Sequence, residues 1–350
     1  MRHTLCTLLG LLLATALYGQ QKDSSWLEQL SITGYGGVYY RYGFNENETD
    51  NKTSFTDAHN TFAPGMFSVK MQHQAGKVGF TADLGFGQRA DAFSYNDQGS
   101  AVALKQLFID YRPLSWLTLT MGSFATYIGY ELVDADQNGN YSMSYLFSYG
   151  PFFHTGVKAA ATAGAHSWMV GLFNPPDQKY AVFDSRKYLG AQWAYQPKAI
   201  PLAVFLNYLG GNDTTGLRSD QLDLVVSADL NTRFSLGYEG AVSRYADQGT
   251  ASHWWGTALY VKMKGPAHWD WTLRSEFFND RRRLKVFMDA DQFPEGGTIW
   301  AFTLSARYHL GPLLLIPELR LDHATAPVFH RKGQPEKDSP AVLLAAVYRF

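Results

Sequence analysis

The sequence has almost no cysteine, few charged residues and no long apolar run after its first twenty residues. Cys6 is the only cysteine among 350 residues, so the rest of the chain has no disulfide scaffold, cysteine-ligated metal site or catalytic thiol. Only 17% of the residues are charged, with 30 basic against 31 acidic side chains. This balance gives no reason to expect nucleic acid as a partner. Beyond residue 20 no stretch approaches the roughly 18 consecutive apolar residues that indicate a transmembrane helix.

The first twenty residues have the pattern of a secretory signal. Arg2 and His3 precede the apolar run LCTLLGLLLATALYG, which is followed by small and polar residues. We therefore predict a signal peptide at 1–20, cleaved near Gly19 or Gln20, and a single mature domain at 21–350. An uncleaved membrane anchor is the alternative, although the apolar run is short for a span.

Aromatic residues and glycine are abundant: aromatics form 15% of the chain and there are 32 glycines. This composition favours strands and turns over helices. The stretch HWDWTLRSEF at 268–277 separates into an apolar and a polar set on alternate positions. The two sets are Trp269, Trp271, Leu273 and Phe277 against Asp270, Thr272, Arg274 and Glu276. Similar alternation continues to the end of the chain and indicates strands that face two different environments.

About sixteen such segments can be placed, most of them near the nine to eleven residues of a tilted transmembrane strand. We predict strands at 30–42, 63–73, 76–87, 101–111, 115–123, 153–163, 166–174, 188–196, 201–209, 219–228, 231–243, 252–264, 268–279, 297–309, 312–323 and 340–350. The fold class is therefore all-β, a transmembrane antiparallel β-barrel with one face of each strand towards outer-membrane lipids.

The predicted connections alternate in length, as in outer-membrane barrels with short periplasmic turns and long extracellular loops. The long ones fall at 43–62, 88–100, 124–152, 175–187, 210–218, 244–251, 280–296 and 324–339. A secreted β-sandwich or propeller would not account for this alternation. Nor would it account for the final strand AVLLAAVYRF, whose terminal Phe350 resembles the signal read by the barrel-assembly machinery.

The polar set of each strand is expected to face the lumen, which is wide enough for water in a barrel of this size. The predicted pore-lining residues are Asp223, Glu239, Asp270, Arg274, Glu276, Arg307, Glu318, Arg320 and Asp322. Hydrated charges there would act on passing ions, and their mixed signs predict weak selectivity. The alternative is that these side chains pair across neighbouring strands and stiffen the wall.

The longest connection, 124–152, is rich in aromatic residues and poorly suited to bulk solvent. We predict that it folds inward and narrows the pore. Its candidate constriction residues, with one in the following strand, are Glu131, Asp134, Asp136, Tyr141, Ser142, Tyr145 and His154. Packing over the barrel mouth or in a subunit contact is the alternative.

The stretch IGYELVDADQNGNYSMSYLFSYGPFFHTGVKA resembles the signature of the β-barrel porin-2, OmpL-like family of Bacteroidetes and related bacteria. The resemblance rests on Gly129-Tyr130-Glu131, on Asn140-Tyr141-Ser142, and on Pro151-Phe152 with His154-Thr155-Gly156. It implies an outer-membrane channel without a defined substrate.

Catalytic and metal-binding motifs are absent from the sequence. There is no His-Glu-x-x-His, no Gly-x-Ser-x-Gly and no glycine-rich phosphate loop. The stretch DADQNGN at 134–140 is similar to a calcium loop, but Tyr145 stands where that loop needs a glutamate. We predict a porin for passive diffusion of small hydrophilic solutes or ions, with no cofactor, no metal, no enzymatic activity and a possible homotrimer. A barrel hydrolase and a non-conducting adhesion or scaffold barrel are the alternatives.

Overall fold

Sixteen antiparallel strands close into one barrel. The computed structural model describes residues 26, 28–47, 50–180, 185–213, 215–247 and 249–350, so the signal peptide expected at 1–20 lies outside the described residues. Around the barrel, neighbouring strands are also neighbours in sequence, except where β1 meets β18 and β15 meets β18. The predicted fold class is confirmed.

Each of the sixteen predicted segments overlaps one barrel strand. The barrel strands are β1 (Leu30–Gly43), β2 (Thr61–Ala75), β3 (Val78–Phe86), β4 (Leu104–Leu114), β5 (Leu117–Ala125), β6 (Phe153–Ala163), β7 (His166–Phe173), β8 (Tyr188–Tyr195), β9 (Leu202–Asn212), β10 (Arg218–Asp229), β11 (Phe234–Asp247), β12 (Thr250–Lys264), β13 (Trp269–Asp280), β14 (Gly297–Leu310), β15 (Leu313–Ala324) and β18 (Asp338–Arg349).

Helical structure is confined to the connections. Helix α1 (Gln88–Phe93) and a 3₁₀ turn (Gly99–Ala103) follow β3, and helix α2 (Tyr145–Tyr149) lies between β5 and β6. Strands β16 (Phe329–Arg331) and β17 (Gln334–Glu336) form a small hairpin in the last long connection. No helix among the described residues is long and apolar enough to cross a membrane.

The apolar positions of the strands form the outer surface. Trp271 and Leu273 are exposed, whereas their neighbours Thr272 and Arg274 are buried inside the barrel, because successive side chains of a strand point to opposite faces. Aromatic rings touch across this surface: Phe277 lies 5.1 Å from Trp255 and 4.7 Å from Trp300 between ring centroids. The outer face is therefore the apolar surface that a lipid bilayer requires.

One predicted long loop, 244–251, is wrong. Strands β11 and β12 continue past it, with Tyr245 opposite Ser252 and Asp247 opposite Thr250, so a tight hairpin joins them. Gly249 has φ 88, which favours glycine in a tight turn. The connection expected at 210–218 is also shorter than predicted, because β9 runs to Asn212 and β10 begins at Arg218. The polar residues here belong to strand ends and not to loops.

Phe350 closes the barrel against the first strand. The backbone N–H of Gly34 donates to the Phe350 carbonyl at 2.9 Å, and the Phe350 N–H donates to the Gly34 carbonyl at 3.0 Å. A Cβ at Gly34 would lie 2.3 Å from the Ser68 carbonyl oxygen, so only glycine fits there. The terminal residue thus has a structural contact, and its recognition by assembly machinery stays a prediction.

The lipid-facing assignment predicts a depth-dependent cost of charge on one strand. Leu304 lies in the middle of β14 and Leu310 at its end, and both side chains are exposed. We expect Leu304→Arg to lower the free energy of unfolding in lipid vesicles by about 2–4 kcal/mol and Leu310→Arg by about 0–1 kcal/mol. Urea unfolding followed by tryptophan fluorescence measures both. Equal costs would contradict this placement of the bilayer.

Candidate functional site

The connection between β5 and β6, residues 126–152, lies within the barrel, and we call it the inner segment. It touches widely separated parts of the wall. The Tyr127 hydroxyl donates to the Tyr208 carbonyl of β9 at 2.6 Å. The Tyr141 ring lies 5.6 Å from Tyr39 of β1, and the Tyr145 ring 5.5 Å from Phe278 of β13. The segment therefore crosses the lumen and is not folded over the mouth alone.

Carboxylates on the inner wall accept hydrogen bonds from the backbone of the inner segment. Because the segment is mostly irregular, its N–H groups need partners other than a strand ladder. Four inward-facing side chains supply them: Asp223 to Gly129 at 3.1 Å, Glu239 to Tyr130 at 3.1 Å, Glu276 to Tyr145 at 2.7 Å, and Glu318 to Tyr141 at 2.8 Å and Ser142 at 3.2 Å. An ionised acceptor makes such bonds about twice as strong as a neutral one.

Arginines supply the matching donors to the carbonyls of the inner segment. Arg274 donates through Nη1 to the Ser142 carbonyl at 2.7 Å, and Arg320 donates through Nη1 to the Met143 carbonyl at 2.8 Å. Arg307 reaches the Asp136 carbonyl at 2.7 Å. Arg89 of helix α1 donates to two further carbonyls, those of Val133 and Tyr141, each at 2.8 Å. Side chains thus provide the hydrogen-bond acceptors and donors that a neighbouring strand would supply to a strand of a sheet.

The same charges pair with one another. Arg274, which is 0% exposed, lies 2.6 Å from Glu131 of the inner segment and 2.7 Å from Glu276 of its own strand. Arg320 pairs with Asp322 at 2.8 Å, and Asp322 accepts from the Tyr145 hydroxyl at 2.8 Å. A buried charge is tolerated only when it is paired and hydrogen-bonded in this way.

This burial corrects one expectation from the sequence. Arg274, Glu276, Glu318, Arg320 and Asp322 were expected to be hydrated, yet each is buried, as are Asp223 and Glu239. The reason is that the inner segment covers the wall where they lie. Their charged groups are hydrogen-bonded to the backbone of the inner segment or paired with neighbouring charges. They are therefore poorly placed to act on a passing ion.

The inner wall is also more apolar than a water-filled lumen requires. Leu314, Ile316 and Leu343 point inward and belong to one buried cluster with Tyr141 and Met143 of the inner segment. Two more clusters join the segment to the wall, around Leu146 with Trp254 and around Ile128 with Phe173. The segment is therefore held by an internal hydrophobic core as well as by polar contacts.

The remaining predicted residues lie apart from the central charges. Asp134 pairs with the buried Lys105 of β4, and Asp136 lies beside it in the inner segment. Asp270 is half-buried and lies 2.8 Å from His309. His154 is buried in β6, where its Nε2 lies 3.0 Å from the Thr126 hydroxyl. His154 therefore belongs to the wall and not to the inner segment.

Several side chains with structural roles have no signal in the sequence. Arg89 and Lys105 are buried on the inner side, and each contacts the inner segment. Asn140 donates to the Ser305 hydroxyl of β14 at 2.7 Å. Arg89 is one of three polar residues in the six-residue helix α1, so the sequence does not identify its distant partners.

Asp177, in the connection after β7, shows how strongly the extracellular side is packed. Its Oδ1 accepts from the backbone N–H groups of Phe152 at 2.6 Å and Phe153 at 3.1 Å, and its Oδ2 accepts from Tyr95 at 3.1 Å. Burial raises the pKa of Asp177 to about 6, and these hydrogen bonds together with the nearby Lys179 oppose the rise. This contact ties the end of the inner segment to the next loop.

Two cavities lie on the same side of the barrel interior. The loop-side cavity has a volume of about 130 Å³ and is lined by Tyr149, Gln221, Ser243 and Tyr245, among others. The turn-side cavity has a volume of about 690 Å³ and is lined by Tyr130, Ser227 and Lys262, among others. Strands β9, β10 and β11 border both, and the part of the inner segment around Gly129 and Tyr130 lies between them.

On the barrel strands, cations outnumber acids among the accessible inward side chains near the turns. On the inner face of the turn-side half, the partly exposed cations are Lys70, Lys158, Lys262, Arg307 and Arg349. The acids accessible on the same strands are Asp110, Asp229 and Asp270, and Asp134 and Asp136 of the inner segment are also partly exposed. Among the described residues, no group of three or more His, Cys, Asp or Glu side chains could hold a metal ion.

A closed sixteen-stranded barrel with an apolar exterior and a long segment folded into its lumen defines the porin class of outer-membrane channels. The sequence profile described as "Putative beta-barrel porin-2, OmpL-like" matches residues 29–350, and the chain belongs to this family of outer-membrane channel proteins.

Solved porin structures share the fold at low identity. The anion-selective porin from Comamonas acidovorans has 13% identity and a TM-score of 0.61, over 92% of this chain and 99% of that one. The outer membrane channel DcaP of Acinetobacter baumannii has 12% identity and a TM-score of 0.59, over 92% and 97%. The trimer form of OmpT from Vibrio cholerae has 10% identity and a TM-score of 0.59, over 92% and 99%. No curated protein sequence matches this chain.

The buried ion pairs predict a specific effect of removing Arg274. Arg274→Met leaves Glu131 and Glu276 buried without their cation, which costs about 3–5 kcal/mol for a buried pair. We expect the inner segment to be released from the wall while the barrel still folds. Protease cleavage within 126–152 should appear, with the folded band retained on unheated gels. Arg244→Met, which removes an exposed cation from the outer side of β11 away from the inner segment, is the control and should stay uncut; equal resistance of both variants would contradict the account.

Proposed function

We propose that the protein is a channel for passive diffusion of small hydrophilic solutes or ions across the outer membrane. The observation that carries the proposal is the pair of cavities on strands β9–β11, one on each side of the inner segment. A solute that enters from the loop side would follow these three strands to the turn side. The buried contacts on β13–β15 leave less room for a path along that part of the wall.

The narrowest part of this path would lie at Gly129 and Tyr130. On β10 the linings of the two cavities are six residue steps apart, from Gln221 to Ser227, a distance of about 20 Å along a strand. The Tyr130 ring stacks on Tyr260 at 4.2 Å between centroids. Tyr130 is partly exposed and borders the turn-side cavity, so this aromatic side chain would set the width that a solute must pass.

We propose a preference for anions at the turn-side mouth. On the barrel strands there, the partly exposed cations outnumber the acids, and the Lys262 Nζ lies 5.1 Å from the Tyr130 ring at the narrow point. Charges that keep contact with water act on passing ions, whereas the central arginines are neutralised by carboxylates. The same preference is named for the porin from Comamonas acidovorans, whose fold is similar.

Further parts of the proposal concern export and assembly. Residues 1–20 would direct export, and Phe350 would be read by the barrel-assembly machinery in addition to its contact with Gly34. A homotrimer is supported by the trimer form of a porin with a similar fold. We propose no cofactor and no enzymatic activity.

Single-channel conductance of the purified, refolded protein in a planar bilayer tests the proposal. Discrete steps of stable size are expected, since a diffusion channel holds water continuously. A folded barrel that never conducts would contradict the proposal. It would favour a non-conducting scaffold, for which the three buried clusters inside the barrel are the specific observation.

Truncation of the narrow point should widen the channel. Because Tyr130 borders the turn-side cavity, we expect Tyr130→Ala to raise single-channel conductance without loss of the folded band. Tyr111→Ala, which removes an exposed ring from β4 on the outer face, is the matched control. An unchanged conductance in the Tyr130 variant would place the constriction elsewhere.

Selectivity should follow the exposed cations. We expect Lys262→Gln to move the reversal potential in a KCl gradient towards cation preference, because it removes a cation at the narrow point. Arg244→Gln, a change on the exposed outer side of β11, should leave the potential unchanged. If the Lys262 variant matches the unmodified protein, Lys262 does not select ions.

A further inference from the structure

The loop-side cavity is built from the end of the inner segment, the connection after β7 and the inner face of β8–β11. Tyr149, Gly150 and Pro151 form one side, and Pro176 with Asp177 forms another. Its volume is about 130 Å³. That space is sufficient for a solute of monosaccharide size.

Gln221 is the polar side chain that this cavity leaves without a protein partner. It is only 8% exposed and faces the cavity from β10. No hydrogen bond joins its amide to any other residue that the structure describes, whereas Asp223, two positions along the same inner face, binds Gly129 and Asn207. The Gln221 amide therefore offers both a donor and an acceptor to the contents of the cavity.

Four tyrosine side chains belong to the lining, and the hydroxyls of three of them are hydrogen-bonded. Tyr149 donates to the Lys52 carbonyl at 2.8 Å, Tyr188 accepts from Ser219 at 3.2 Å, and Tyr95 donates to Asp177 at 3.1 Å. These bonds fix the rings in place. What the rings offer is apolar aromatic surface, which matches the C–H faces of a sugar ring.

The charged groups of the cavity are also engaged. Both oxygens of Asp177 accept hydrogen bonds from Tyr95 and from the backbone of the inner segment. The Lys285 Nζ lies 5.4 Å from the Tyr245 ring. The cavity thus combines aromatic surface, a free amide and serine hydroxyls with no unengaged carboxylate. Most of the accessible lining is polar, which suits a solute that carries many hydroxyl groups.

We propose that the loop-side cavity binds a mono- or disaccharide, with the Gln221 amide bonded to its hydroxyls and tyrosine rings against its C–H faces. This inference rests on the proposed function, because the site would lie at the extracellular entrance of the diffusion path. It makes the channel a saccharide-accepting porin and Gln221 its specificity-determining residue.

Binding can be measured independently of conduction. Isothermal titration calorimetry of the detergent-solubilised protein with glucose and with maltose should show saturable binding of at least one sugar. Gln221→Leu keeps the size of the side chain and removes the amide, and we expect it to weaken binding about tenfold, the loss of one or two hydrogen bonds. Gln72→Leu, on β2 and remote from the cavity, is the matched control and should bind as the unmodified protein does.

Conduction separates this proposal from the proposed function. In planar bilayers the same sugar should reduce the current in a saturable manner, with Gln221→Leu raising the half-blocking concentration at unchanged open conductance. Sugar binding without any conduction would overturn the channel and keep the site. Conduction without saturable sugar binding, equal binding by the Gln221 variant, or block by glucuronate alone would overturn the saccharide site. Ser219→Ala removes the hydroxyl that donates to Tyr188 in the cavity wall, and it provides a second variant should Gln221→Leu not fold.

Discussion

Hydrogen bonds from charged wall side chains to the backbone of the inner segment are the interaction on which the rest of the structure depends. A mostly irregular segment inside a barrel has no strand to pair with, and its buried N–H and C=O groups need partners. Asp223, Glu239, Glu276 and Glu318 accept from its amides, and Arg274 and Arg320 donate to its carbonyls. The segment can therefore stay at the centre of the barrel without forming a strand.

These bonds also determine where water can pass. On the side of β13–β15 the segment is joined to the wall by paired charges and by inward apolar residues such as Leu314 and Ile316. On the side of β9–β11 the segment contacts the wall around Gly129 and Tyr130. One cavity lies on the loop side of these contacts and the other on the turn side. The charged side chains that hold the inner segment are therefore not available to bind a solute. Recognition is then left to Gln221 on one side and to exposed cations such as Lys262 on the other.

Much of the fold was predictable from the sequence, because alternation of apolar and polar residues is a local property. Most barrel strands have that pattern, including WDWTLRSEF of β13, and Gly or Pro marks most of the turns. The hairpin between β11 and β12 was missed, because in the sequence the polar residues at the end of a long strand resemble those of a loop. Asp247 and Thr250 become strand residues only through their pairing with each other.

The site was less predictable, because its contacts join residues far apart in the chain. Alternation correctly indicates that Arg274 points inward, but not that Glu131, 143 residues earlier, will cover it. Burial of Arg274 is a property of the assembled interior, and so is the freedom of the Gln221 amide. The resemblance around 129–156 identified the inner segment as a feature of the family, without the wall residues that hold it.

Hydrogen exchange of the inner segment in lipid nanodiscs tests the central claim most directly. The amides of Gly129, Tyr130, Tyr141, Ser142 and Tyr145 each donate to a wall carboxylate, so they should exchange as slowly as amides of the barrel strands. Exchange resolved to single residues, with the exposed connection 198–200 as the fast reference, provides the measurement. If these five amides exchange as fast as that connection, the wall does not hold the inner segment and the account is wrong.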